Sequence, residues 1–132
     1  QGYLSYQILD ACENPNQNLR KLSNLAKFMY RNAITVINIK QHYILKQEFS
    51  IADTYEKANA ILDKVEALIY KERENVLQTI PLVEFDSRLG WEPSMEYTTG
   101  VDGLNWKLRQ LDHELNNVLP RFRKSVDLIK EF

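Results

Sequence analysis

The sequence predicts an all-α protein: an antiparallel bundle of three long helices, a short helix before them and one long ordered loop at residues 79–101. Apolar residues recur every three or four positions in each periodic segment, and none alternates as a strand would. No proline or glycine interrupts the longest segment, from about Asn18 to Glu48. With 132 residues, the chain fits a single domain.

Composition excludes several classes of partner. The net charge of −1, from 17 basic and 18 acidic residues, favours neither nucleic acid nor an anionic membrane. No apolar run approaches the ~20 residues of a membrane span, and no signal peptide is recognisable. The single cysteine, Cys12, cannot form an internal disulfide. Because the chain opens on Gln1 without an initiator methionine, we expect either a piece of a longer precursor or a processed chain.

The first two predicted helices are separated by a turn. The short helix covers Gly2–Cys12, and Asn14 and Pro15 suit a cap and first helical position of the next one. The middle of the second helix is apolar almost all round: Phe28, Met29, Tyr30, Ile34, Ile37 and Ile39. Such a helix needs protein on most sides, so we expect it to face a neighbouring domain and the isolated chain to self-associate around Tyr30–Ile39.

The third helix follows a short connection, so it should lie antiparallel to the second. Its capping residues lie in Ser50–Asp53 or Asp53–Glu56, its apolar repeat lapses only around Glu72, and Pro81 should end it. The last helix begins after residues 98–102, with Pro120 expected to kink or restart it. Its predicted seam contains Leu104, Leu108, Leu111, Leu115, Val118, Phe122, Val126 and Ile129.

Residues 79–97 hold the candidate binding residues. Asp86 and Arg88 can form a bidentate pair that pins the segment, or Asp86 can serve with Glu92 as a catalytic carboxylate. Trp91 can close the core or hold a sugar ring. Glu84 and Glu96 supply further carboxylates.

No metal, cofactor or catalytic residue is predicted. His42 and His113 stand on separate helices without the partners of a metal site. The sequence contains no glycine-rich phosphate loop, nucleophile elbow or His-Glu-x-x-His motif.

Three segments carry a family resemblance: Thr79-Ile80-Pro81-Leu82-Val83-Glu84, Asp86-Ser87-Arg88-Leu89-Gly90-Trp91-Glu92-Pro93-Ser94-Met95-Glu96-Tyr97, and Leu104-x-Trp106-Lys107-x-Arg109-Gln110. They resemble the helical C-terminal region of large exported bacterial proteins related to glycoside hydrolases, whose barrel is similar to α-glucuronidases and hexosaminidases. The resemblance implies a periplasmic or cell-surface parent with its catalytic residues in that barrel.

Three functions follow as hypotheses. The first is a non-catalytic accessory domain that buttresses the barrel of a larger carbohydrate-active protein. The alternative is a saccharide-binding module that uses residues 79–97, with Asp86, Arg88, Trp91 and Glu92 as ligands. A stand-alone hydrolase using Asp86 and Glu92 is disfavoured, because one loop on a bundle encloses little space.

Overall fold

The structure is a computed structural model that describes residues 17–90 and 100–130. Its helices are α1 (Gln17–Ser50), α2 (Tyr55–Phe85), a 3-10 turn (Ser87–Gly90), α3 (Val101–His113), a π-helical segment (Glu114–Val118) and α4 (Leu119–Lys130). No strand occurs in the two described ranges, which confirms the all-α prediction. The predicted short helix at Gly2–Cys12 lies outside them.

A tight turn joins α1 to α2. The N–H of Ile51 donates to the Glu48 carbonyl at 3.3 Å and that of Ala52 to the Phe49 carbonyl at 3.2 Å, which ends α1. Thr54 then caps α2, because its hydroxyl accepts the Lys57 N–H at 3.2 Å. Of the two predicted starts, the second is therefore the one that the chain uses.

The predicted end of α2 at Pro81 is wrong. The helix passes through Pro81 and continues to Phe85, so the irregular segment begins later than residue 79. A proline inside a helix costs about 3 kcal/mol. The next two residues, Leu82 and Val83, are both buried, and each buried side chain of this size contributes about 1.5–3 kcal/mol, which offsets that cost.

Helix α2 is central, since it contacts α1, α3, the π-helical segment and α4. Hydrogen-bonded polar pairs show the relative directions of the helices. Thr35 of α1 meets Glu72, whereas the earlier Arg31 meets the later Asn75, so α1 and α2 run in opposite directions. Helix α2 likewise runs antiparallel to α3 and α4. The apolar core contains Leu62, Leu119 and Val126, with Phe49, Tyr55, Ala58 and Val65 packed against it.

A π-helical segment separates α3 from α4. The Leu119 N–H donates to the Glu114 carbonyl, five residues back, and Pro120, which has no N–H, follows directly. The interruption predicted at Pro120 is therefore a local change from α-helical to π-helical hydrogen bonding. Because a π turn holds one more residue than an α turn, it rotates α4 and buries Leu119. The predicted seam is wrong at Ile129, which is 66% exposed. Phe122 is 47% exposed, although its ring packs edge-on against Phe49.

Candidate functional site

Helix α1 buries polar residues fully and leaves many of its large apolar residues exposed. Its two buried residues are Ser23 and Asn38, the latter 4% exposed. Large apolar residues face outward instead, as with Tyr43 at 64% exposure. A surface helix normally has the opposite arrangement. The outer apolar side chains are Leu22, Leu25, Met29, Val36, Ile37, Ile39, Tyr43 and Ile44.

The inner polar face of α1 surrounds one buried carboxylate. Glu72 of α2 is 7% exposed. It accepts hydrogen bonds from the Thr35 hydroxyl at 2.7 Å and the Asn38 amide at 2.6 Å. From α3, the Lys107 ammonium donates to it at 2.5 Å. One side chain therefore joins three helices.

A second polar layer lies one turn further along α2. The Asn75 amide donates to the Arg31 carbonyl at 2.9 Å and to the Thr35 hydroxyl at 3.0 Å. Thr79 in turn donates its hydroxyl proton to the Asn75 carbonyl at 2.7 Å. Glu72, Asn75 and Thr79 share a face of α2 because they are three and four residues apart. No buried side-chain nitrogen or oxygen of the described residues lacks a partner.

These contacts determine the chemistry of Glu72. Burial raises its pKa, but the hydrogen bonds from Lys107, Thr35 and Asn38 together outweigh burial, so the pKa lies below its usual value. The carboxylate is therefore ionised at neutral pH and engaged by three donors. Such a group fixes the relative positions of the three helices and holds no proton to transfer.

An open cleft of about 430 Å³ lies beside this network, between α1 and α3. Its walls are largely apolar, with Ile39 and Tyr43 on α1 and Leu111 on α3. The Glu72 and Lys107 groups at its base bind each other. The cleft therefore offers a largely apolar surface in which Glu72 and Lys107 are engaged with each other, and His42 and Glu114 also line it. No cluster of three or more potential metal-ligating side chains occurs in the part of the chain that the structure describes.

Of the four predicted binding residues, the structure describes Asp86 and Arg88. The Arg88 guanidinium donates to both Asp86 carboxylate oxygens, at 2.9 Å and 2.8 Å, as the bidentate alternative predicts. This hydrogen bonding, chiefly, lowers the pKa of Asp86 to about 2. The two side chains pair with each other at the end of α2. Trp91 and Glu92 lie outside the described residues.

Sequence reasoning did not select Glu72 as a site residue. The signal was nevertheless present, because the apolar repeat of α2 lapses at Glu72 and at no other step of that pattern. A charged residue within a helical seam indicates either a helix end or a buried polar network. The donors Thr35, Asn38 and Lys107 carry no comparable signal, since polar residues at single helical positions are common.

No protein-family model, curated protein or solved structure matches the chain. The resemblance to glycoside-hydrolase-like proteins therefore rests on the motifs at residues 79–97 and 104–110 alone. Across the described residues, no helix has both the length and the apolarity needed to cross a bilayer.

Proposed function

We propose that this chain is a non-catalytic helical domain, folded as an antiparallel bundle, that buttresses a neighbouring domain of a larger carbohydrate-active protein. Docking would use a surface that we call the α1–α2 face. It consists of Ile37, Ile44, Ile51, Tyr70 and Leu77. The exposure of these five large side chains is the observation that carries the proposal. The glycoside-hydrolase-like nature of the neighbour rests on the sequence resemblance.

The α1–α2 face has the composition of an interface. Ile37 and Ile44 are seven residues apart on α1, and Ile51 follows seven residues later in the turn after it. Tyr70 and Leu77 are seven residues apart on α2. Ile44 and Tyr70 line a shared groove of about 750 Å³. Charged residues of α2, Lys64, Lys71 and Glu74, border that groove. An apolar centre with a charged rim is typical of protein–protein contacts.

The non-catalytic part of the proposal is supported by Glu72 and Asp86, whose pKa values are lowered by hydrogen bonds. Glu72 is held ionised by three donors on two other helices. Asp86 is held ionised by the Arg88 guanidinium. General acid catalysis needs a carboxyl group that keeps its proton near neutral pH. The surroundings of Glu72 and Asp86 instead lower the pKa of each carboxyl group.

The substitution Ile44→Lys tests the docking. We expect it to lower the melting temperature of the parent protein, because a lysine would be desolvated at the interface. The isolated chain should be affected little, since Ile44 is already exposed there. Leu128→Lys is the matched control, at a 59% exposed position of α4 away from the α1–α2 face. Equal melting temperatures for the two variants of the parent would overturn the proposal.

A second measurement addresses the saccharide-binding alternative. Oligosaccharides are titrated calorimetrically into the isolated chain, and we expect no heat of binding. Binding that disappears in Trp91→Ala would favour a saccharide site at residues 79–97 over the buttressing role.

A further inference from the structure

A second apolar surface of α1 follows a strict seven-residue repeat, and we call it the heptad stripe. Leu22, Met29, Val36 and Tyr43 are seven residues apart, and Leu25, Asn32 and Ile39 form a parallel row three residues on. All seven are exposed. The stripe shares no residue with the α1–α2 face, so the following inference is independent of the proposed function.

This spacing is that of a coiled-coil seam. Apolar residues at the first and fourth positions of successive heptads keep one helix in contact with another along its length. The inner face of α1, with Thr35 and Asn38, is already occupied by α2. The heptad stripe is therefore a second seam on the same helix, and its geometry suits a second long helix.

We propose that the heptad stripe pairs with the same stripe of a second copy of this chain, parallel and in register. Asn32 identifies the partner. Its side chain makes no hydrogen bond to other described residues, and it is the one stripe residue with a side-chain amide. In a parallel in-register pair it faces Asn32 of the second copy, so that one amide can donate to the other. An apolar partner helix would leave it buried without a partner, which is costly.

The size and charge of the stripe also fit self-pairing. From Leu22 to Tyr43 it extends for about 32 Å at the helical rise per residue. Seven side chains from each copy would bury roughly 1,200 Å², near the lower end for specific complexes. Lys40 is the charged residue on one flank, and in parallel register the Lys40 side chains of the two copies lie on opposite sides of the seam. Two copies therefore meet without strong charge repulsion.

The experiment compares two lysine variants by sedimentation equilibrium of the 132-residue chain. Ile39→Lys places a charge in the heptad stripe, and Ile44→Lys places one on the α1–α2 face at nearly the same exposure, 58% against 54%. We expect Ile39→Lys to raise the dimer dissociation constant about tenfold or more, and Ile44→Lys to leave it nearly unchanged. Circular dichroism should show equal helicity. A monomeric wild type, or equal effects of the two variants, would overturn the inference.

Oxidative cross-linking tests the orientation in a Cys12→Ser background. A parallel pair brings position 25 opposite itself, within the reach of a disulfide, so Leu25→Cys should form covalent dimers. An antiparallel pair would instead pack the two rows against each other, which brings position 25 close to position 36 or 43 and Asn32 close to an apolar residue. Cross-linking in a mixture of Leu25→Cys with Val36→Cys or Tyr43→Cys, with none in Leu25→Cys alone, would refute the parallel register and the role given to Asn32.

Discussion

Replacing Glu72 by glutamine removes one charge from the buried network without changing the side-chain shape. Glutamine keeps one acceptor oxygen and introduces an amide that donates, so it cannot satisfy all three donors. Lys107, 34% exposed at its side chain, can turn to water, whereas the buried Asn38 amide cannot. A lost hydrogen bond to a charged group costs about 1.5–3 kcal/mol. We therefore expect Glu72→Gln to destabilise the fold by about 2–3 kcal/mol.

Urea denaturation at one fixed protein concentration measures this loss, provided that the denaturant slope is unchanged. Glu74→Gln is the matched control: Glu74 is exposed on the same helix, its side chain accepts from Gln78, and the expected change is within about 0.5 kcal/mol. The pH dependence gives a second readout. Because the folded pKa of Glu72 is lowered, its contribution is present above the unfolded value and is lost as the pH falls below it. The stability of the Glu72→Gln variant should not show this loss at low pH. Equal stabilities of the two variants would refute the reasoning about the network.

Two further predictions concern the end of α2 and the π-helical segment. Arg88→Ala should raise the pKa of Asp86 from about 2 towards the ordinary aspartate value, as measured by carboxyl-carbon NMR; an unchanged pKa would contradict the role of the bidentate pair. Consequently, any stability that the pair confers is present above that ordinary value and is lost in wild type as the pH falls towards 2. Leu119→Ala should cost about 2–5 kcal/mol in urea denaturation, whereas Ile129→Ala, at an exposed position of the predicted seam, should cost under about 0.5 kcal/mol. The reverse order would mean that α4 follows the uninterrupted seam.

Helix positions were predictable from sequence because they depend on local periodicity and capping. The predicted second helix, Asn18–Glu48, differs from α1 by only one or two residues at each end. The sequence-based prediction failed at two prolines. At Pro81 the cost of the proline is local, but the burial of Leu82 and Val83 that offsets it is tertiary. At Pro120 the interruption was predictable, but a π turn, which rotates every residue after it, was not.

The polar centre was less predictable than the helices. The lapse at Glu72 is visible in the sequence, but its partners come from α1 and α3, and their proximity depends on how the three helices pack. The sequence showed that α1 has an excess of apolar residues, but not which of them face the rest of the protein. Only the packing against α2 shows that Asn38 points inward while Ile39 and Tyr43 point outward.

The π-helical segment also has an evolutionary consequence. A π turn corresponds to a single residue inserted into a regular α-helix. Homologues that keep a regular α-helix here should therefore be one residue shorter between positions 113 and 119. These shorter homologues would continue the predicted seam, with an apolar residue facing inward at the position of Phe122 and no proline required at the position of Pro120. Homologues that lack this residue would lie outside the branch on which the insertion arose.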